Sequence, residues 1–463
     1  MKIYFVTGSQ FLYGDETLKQ VESDSLKMVE FLNSKVGRAD VVYLGTVKTA
    51  DEATKFVKKI NYDDDCAGMI VWCHTFSPAK MWINGLKNLQ KPMLHLHTQF
   101  NRELPYDEID MDFMNLNQSA HGDREFAYVL TRLNVPRVSV AGYYQDEEVI
   151  QEINEWVDVV IGVDYSKNVK VCRFGDNMRE VAVTDGDKVE AQIKLGWQID
   201  YYGIGDIVEE INKVSEEETE AVYGELLEKY TLNTDKVESV KEQVKYEIAL
   251  KRFLAKNNYT ALTTNFQDLH GLKQLFGLSI QRLMAEGYGF GAEGDWKIAA
   301  LGTVLKKMAE GREGATFFME DYTYDLVKGE ELVLGSHMLE VCPTAASTKP
   351  TIEVHPLGIG GKGDPARLVF DGIEGDAIAV CLVDMGTHLR LICAEIELVK
   401  QPKPMPKLPV ARVMWKLKPN FKDGAKAWLK AGGAHHTVVS TALKASDMEL
   451  YAQLNGLEFV HIK

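Results

Sequence analysis

The 463 residues are 45% hydrophobic and 26% charged, the balance of an ordinary globular chain with material for about two to four domains. A formal net charge of −16 argues against a nucleic-acid backbone as partner, because such binding draws on clustered Lys and Arg. No run approaches about 18 apolar residues, so no membrane span is expected, and the short apolar start MKIYFVTGSQ reads as a first strand of a cytoplasmic protein rather than an export signal.

In chain order, apolar runs at 3–7, 41–45, 68–74, 92–97, 137–141 and 157–163 read as strands, with amphipathic helical stretches such as 16–34 and 124–133 between them. This alternation implies a parallel sheet covered on both faces, with ligands at the carboxyl ends of its strands. Segments 8–14, 74–78 and 97–102 then share one rim. From about residue 169 a strand-like stretch at 169–174 precedes charged helices at 216–229 and 239–256. A strand at 259–265 and helices at 272–286 and 295–309 complete a second α/β region. After about residue 315 short strands at 316–319, 332–337, 351–355, 367–370, 377–383 and 388–399 alternate with turns, followed by a proline-rich connector at 401–409 and a helix at 423–430. The expected fold class is α/β, with two doubly wound Rossmann-like domains at 1–169 and 170–315 and a C-terminal β-rich, barrel-like domain at 316–463. The six cysteines are scattered, with no C-x-x-C pair, and read as reduced core residues.

The chemistry-bearing side chains gather in the second half. Glu293 lies in GYGFGAEGDWK before a helix, Glu320 in FFMEDYTY at a strand end, His337 in LGSHMLEVCP, and His435 with His436 in AGGAHHTVVS. Carboxylates and imidazoles make a mixed oxygen–nitrogen set suited to Mn²⁺, Co²⁺ or Mg²⁺ rather than to a structural zinc. Taken singly, each Glu is more often a solvated charge and each His a hydrogen-bonded structural residue, and no short metal signature is present. The H-x-x-E pair His337/Glu340 lies in an extended context, where that spacing does not place both on one metal. Gly289, Gly291 and Gly294 satisfy the dinucleotide fingerprint by letter. They follow what reads as a helix end, so no nicotinamide site is expected there. His95 and His97 alternate on one strand face near the rim and are open to a structural reading.

GSQFLYG, NLNQSAHGDRE, GYGFGAEGDWK, FMEDYTY, GSHMLEVCP and AGGAHHT, spread from Gly8 to Thr437, together resemble the L-arabinose isomerase family. The resemblance implies conversion of L-arabinose to L-ribulose, with D-galactose to D-tagatose as a related activity. It implies a divalent cofactor, usually Mn²⁺, and a trimer-based homohexamer with active sites at subunit boundaries. Carried over by motif, it implies Glu293, Glu320, His337 and His436 as metal ligands. Its substrate-lining positions fall on Gln10, Leu12, Tyr13, Gln118, His121, Phe266, Ile359 and His435. The chemistry of the two carboxylates suggests an ene-diol route with Glu293 and Glu320 as acid and base, a metal-assisted hydride shift being the alternative. Rival readings are another sugar isomerase, a nicotinamide-dependent oxidoreductase and a hinged sugar-binding module.

Overall fold

In the computed structural model, which describes residues 1–463, the chain forms two units, Met1–Asp164 and Tyr165–Lys463. In the first, β1 (Lys2–Gly8), β2 (Asp40–Val47), β3 (Cys66–Cys73), β4 (Met93–His97) and β5 (Arg137–Ala141) form one parallel sheet in the order β2-β1-β3-β4-β5. Every residue of β3 is buried, as expected of a central strand covered on both faces. Apolar residues of the sheet and its helices, among them Val6, Val71, Met93, Phe126 and Leu130, build one core. The chain leaves β1 to one side for β2 and to the other for β3, and the crevice at their carboxyl ends is the place such sheets bind ligands.

One expected strand is not a strand. Residues 157–163 belong to the helix Glu147–Ser166, in which Val157, Val159, Val160, Ile161 and Val163 are all buried. A β-branched run that is apolar all round fits either a buried strand or a buried helix. Val149, Ile153 and Trp156, buried at helical spacing just upstream, decide for the helix.

The second unit opens with β6 (Lys170–Phe174) and β7 (Gln198–Tyr202). After the two-residue β8 (Thr231–Leu232) come β9 (Ala261–Thr264) and β10 (Gly289–Gly291), and the sheet runs β10-β9-β6-β7, again all parallel. The helix expected over 272–286 begins only at Leu278, directly after Gly277, whose φ of −149° and ψ of −95° are not helical. The glycine run belongs to packing. A Cβ on Gly289 would lie 2.0 Å from the Ala299 carbonyl oxygen, and one on Gly291 2.2 Å from that of Asp295. Bare glycine therefore lets the helix Trp296–Met308 lie directly on β10. The first two glycines of the apparent fingerprint thus sit inside a strand, not in the turn that would cradle a pyrophosphate.

The remaining strands are β11 (Thr316–Asp325), β12 (Leu332–Ser336), β13 (Thr351–Val354), β14 (Ala366–Val369), β15 (Gly375–Asp384), β16 (Leu389–Val399), β17 (Arg412–Leu417), β18 (His436–Ser440) and β19 (Glu458–Ile462). Six of them close an antiparallel barrel in the order β15-β18-β11-β12-β17-β16, with β16 returning to β15. β19 adds to β16 in parallel, and β13 lies between β14 and β8 in a small separate sheet. The barrel-like expectation holds, and closure removes the free edges that an open sheet would expose. All six cysteines are free and buried. No helix is long and apolar enough to cross a membrane.

Candidate functional site

Three adjacent barrel strands bring the C-terminal candidates together through their register. On β11, Glu320 pairs with His436 of β18 on one side and with Ser336 of β12 on the other, so His337 follows directly at the end of β12. Ligand atoms of Glu320, His337 and His436 all lie within 4.8 Å of one another, and so do those of Glu293, His435 and His436. His436 is common to both sets. Glu293 arrives from the central sheet, in the loop between β10 and the helix Trp296–Met308. Its φ of 59° is left-handed, uncommon for a side chain with a Cβ. Hydrogen bonds on both sides hold it there, from Met178 N–H to the Glu293 carbonyl and from Gly294 N–H to the Thr264 carbonyl, each 2.9 Å. Backbone held in a rare region by its surroundings is common at functional sites.

The imidazoles are aimed by a second set of carboxylates. His337 Nδ1 donates to Glu340 Oε2 at 2.5 Å, and His436 Nδ1 donates to Asp295 Oδ2 at 3.1 Å. Each Nε2 therefore turns inward, to 3.6 Å from Glu320 for His337 and 4.0 Å from Glu293 for His436. His436 is fully buried, and its Nε2 has no hydrogen-bond partner. A buried imidazole nitrogen without a partner costs free energy unless something completes it. Among two carboxylates and another inward Nε2, the group that fits is a divalent cation, and an outer carboxylate on Nδ1 is the usual way to fix a metal-binding histidine. Phe318 packs edge-on against both rings, and Phe266, in the loop after β9, stacks on His337 with centroids 5.9 Å apart.

Electrostatics follow from these contacts. The hydrogen bond with His435, at 3.3 Å, holds the Glu293 carboxyl below its ordinary pKa despite burial, and Glu293 raises His435 in turn. Burial alone would lower the His337 pKa, but Glu340, with Glu320 and Glu293 behind it, more than offsets this and raises it. Burial alone would raise Asp295, and Lys297 with His436 brings it below the usual range instead. Asp321, the neighbour of Glu320, is pushed up to about 7 by burial and by the Glu320 charge.

The N-terminal candidates gather at the switch point of the first sheet. Gln10 Nε2 donates to the Phe76 carbonyl at 3.1 Å, Tyr13 Oη donates to Gln118 Oε1 at 3.3 Å, and His121 stacks on Phe76 with centroids 4.5 Å apart. Leu12 stands out into solvent, 82% exposed, beside the exposed Phe11. Ile359 lies in an exposed loop between β13 and β14, and no contact joins it to the histidine–carboxylate cluster.

Family models for the N-terminal, central and C-terminal domains of L-arabinose isomerase match residues 1–168, 170–311 and 315–458. The chain is 55% identical to L-arabinose isomerase 1 of Bacillus licheniformis over 461 residues, covering 99% of this chain and 93% of that protein. It is 55% identical to the L-arabinose isomerase of Halalkalibacterium halodurans over 467 residues (99% and 93%) and 54% identical to that of Geobacillus stearothermophilus over 472 residues (100% and 94%). This chain belongs to the L-arabinose isomerase family. It is accordingly an enzyme of the isomerase class, an intramolecular oxidoreductase.

Within that family framework, two site residues escaped the sequence reading. Asp295 stands two positions after Glu293 in the same motif and passes there for a helix cap, a role it also fills by accepting the Ile298 N–H at 3.3 Å. Glu340 is the partner in the H-x-x-E pair. It serves His337 from the outer side, which an extended chain permits when the loop after β12 turns back.

Proposed function

We propose that this chain converts L-arabinose to L-ribulose with a divalent cation, Mn²⁺ with Co²⁺ or Mg²⁺ as substitutes, and without a nicotinamide. D-galactose, which differs by one hydroxymethyl group, is its second candidate substrate, giving D-tagatose. The observation that carries the metal part is the unpartnered, fully buried His436 Nε2 facing Glu293, Glu320 and His337. Those four residues would hold the cation, and His435, a third exposed on its side chain, is left to face the sugar. When bound, the cation supplies Lewis-acid polarisation of the sugar's carbonyl.

The reaction moves the C2 hydrogen to C1 and the O2 proton to O1. In the proposed ene-diol route one of Glu293 and Glu320 takes the proton from C2 and returns it to C1, while the other passes the hydroxyl proton between the oxygens. His435 and Tyr13, Gln10, Gln118 and His121 are proposed to orient the hydroxyls, with Leu12, Phe266 and Ile359 as the apolar lining. Exposed Phe11, Leu12, Tyr106, Met111 and Met114 support the proposed burial of this face in a homo-oligomer, a trimer-based hexamer with active sites at subunit boundaries. We place the enzyme in the cytoplasm, with a small sugar as ligand and neither nucleic acid nor membrane as partner.

The test is ketose formation from L-arabinose by chelated protein, with and without Mn²⁺ and with no nicotinamide. Metal-restored L-ribulose is the expected result; folded protein inactive with every divalent ion would overturn the reading. Transfer of the C2 hydrogen without solvent exchange under any condition would replace the ene-diol route by a hydride shift.

A further inference from the structure

His97, Asp123 and His95 form a cluster in the first unit that the proposed mechanism does not use. Asp123, 1% exposed, lies on the helix Ser119–Arg132, just past Gln118 and His121. Its Oδ1 accepts the Cys73 N–H at the end of β3 at 3.2 Å, and its Oδ2 accepts from His97 Nδ1 at the end of β4 at 2.8 Å. His95 Nε2 lies 2.9 Å from Oδ1 without the alignment of a hydrogen bond, and its ring is buried. One carboxylate thus ties two strand ends to the helix that carries Gln118 and His121.

His97 differs from His95 in facing outward. Its side chain is 39% exposed while its carboxylate partner is sealed. With Nδ1–H committed to Asp123, Nε2 is left to hydrogen-bond outward at the carboxyl edge of the sheet, the rim that also carries Gln10 and Tyr13.

Building on the isomerase reading, we infer that His97 is a further substrate-binding residue, an imidazole oriented by Asp123 whose Nε2 hydrogen-bonds a sugar hydroxyl. The ligand class is the open-chain polyhydroxy aldehyde or its polyol analogue.

Four Mn²⁺-loaded proteins test it: wild type, H97A, H97N and H97Q. Each is measured for thermal midpoint, for KM and kcat with L-arabinose, and for calorimetric binding of L-arabinitol, which cannot react. Loss of one sugar hydrogen bond should raise KM and the arabinitol Kd about tenfold in H97A with a smaller change in kcat. The two amides separate contact from docking. Asn can keep the bond to Asp123 but is too short to reach the Nε2 position, whereas Gln can reach that position. Affinity restored by H97Q and not by H97N supports the inference. Affinity restored by H97N and not by H97Q, or H97A binding arabinitol and turning over arabinose within about twofold of wild type, overturns it. Wild type that binds arabinitol yet isomerises no L-arabinose with any divalent ion overturns the isomerase reading instead.

Discussion

The molecule holds two histidine–carboxylate clusters built from the same residue types in opposite order. In the first unit the carboxylate is central: Asp123 sits between His95 and His97, and the imidazoles lie around it. In the second unit the outer carboxylates, Asp295 and Glu340, stand behind His436 and His337, whose Nε2 atoms converge on an inner pair, Glu293 and Glu320. A central carboxylate staples two strand ends to a helix, through the Cys73 N–H and His97 Nδ1. Convergent Nε2 lone pairs facing carboxylate oxygens repel one another unless a cation lies between them.

Neutralising the inner carboxylates should act on turnover. Glu293→Gln and Glu320→Gln should each lower kcat by about 10² to 10⁴-fold while leaving the thermal midpoint close to wild type, the scale of a lost acid or base. Near-normal turnover in either variant would remove that residue from proton transfer. The counterpart in the first unit should act on stability: Asp123→Ala removes a sealed carboxylate from two imidazoles and a backbone N–H and should cost about 3 kcal/mol in denaturant unfolding. A loss below about 0.5 kcal/mol would mean that the cluster is not a staple. A smaller effect is expected behind the proposed metal ligands, where Glu340→Gln or Asp295→Asn should weaken Mn²⁺ retention by about 10–100-fold. Unchanged metal content after dialysis would count against their role in aiming the imidazoles.

The smallest effect concerns pH. Asp123 raises the pKa of folded His97 above the value of about 6.5 expected for the unfolded chain. The folded state therefore holds that proton more tightly, and the stabilisation is whole below about 6.5 and is lost as pH rises through the raised value. The stability difference between wild type and H97Q should shrink from about pH 6 to about pH 8.5. A difference that grows over that range would contradict the pairing.

Much of this was readable in the residues, and the failures have physical causes. Strands β1 and β3 carry near-continuous apolar runs, and the charged helix Glu216–Lys229 opens with a capping box at Ser215 and Glu218, so local signals agree with the fold. The run at 157–163 misled because full burial erases periodicity. Strands β17, β18 and β19 carried no clear alternation, since barrel closure buries both faces of β18 and the proline-rich segment masks the start of β17. The inner carboxylates and the two imidazoles facing them were visible as motifs. Their outer partners were not, because hydrogen-bonding to Nδ1 is a fact of loop geometry with no spacing rule. Likewise nothing in the HLH triplet at 95–97 tells which ring is sealed and which faces out.

The left-handed Glu293 loop has one more consequence. Glu320, His337 and His436 belong to the barrel, whereas Glu293 belongs to the central sheet, so the four side chains meet only when both halves of the Tyr165–Lys463 unit are native. A ligand engaging all four acts as a thermodynamic clasp, and its binding free energy is added to the cooperativity of the whole unit rather than to either half. Heating in the presence of such a ligand should therefore merge the unfolding of sheet and barrel into one transition.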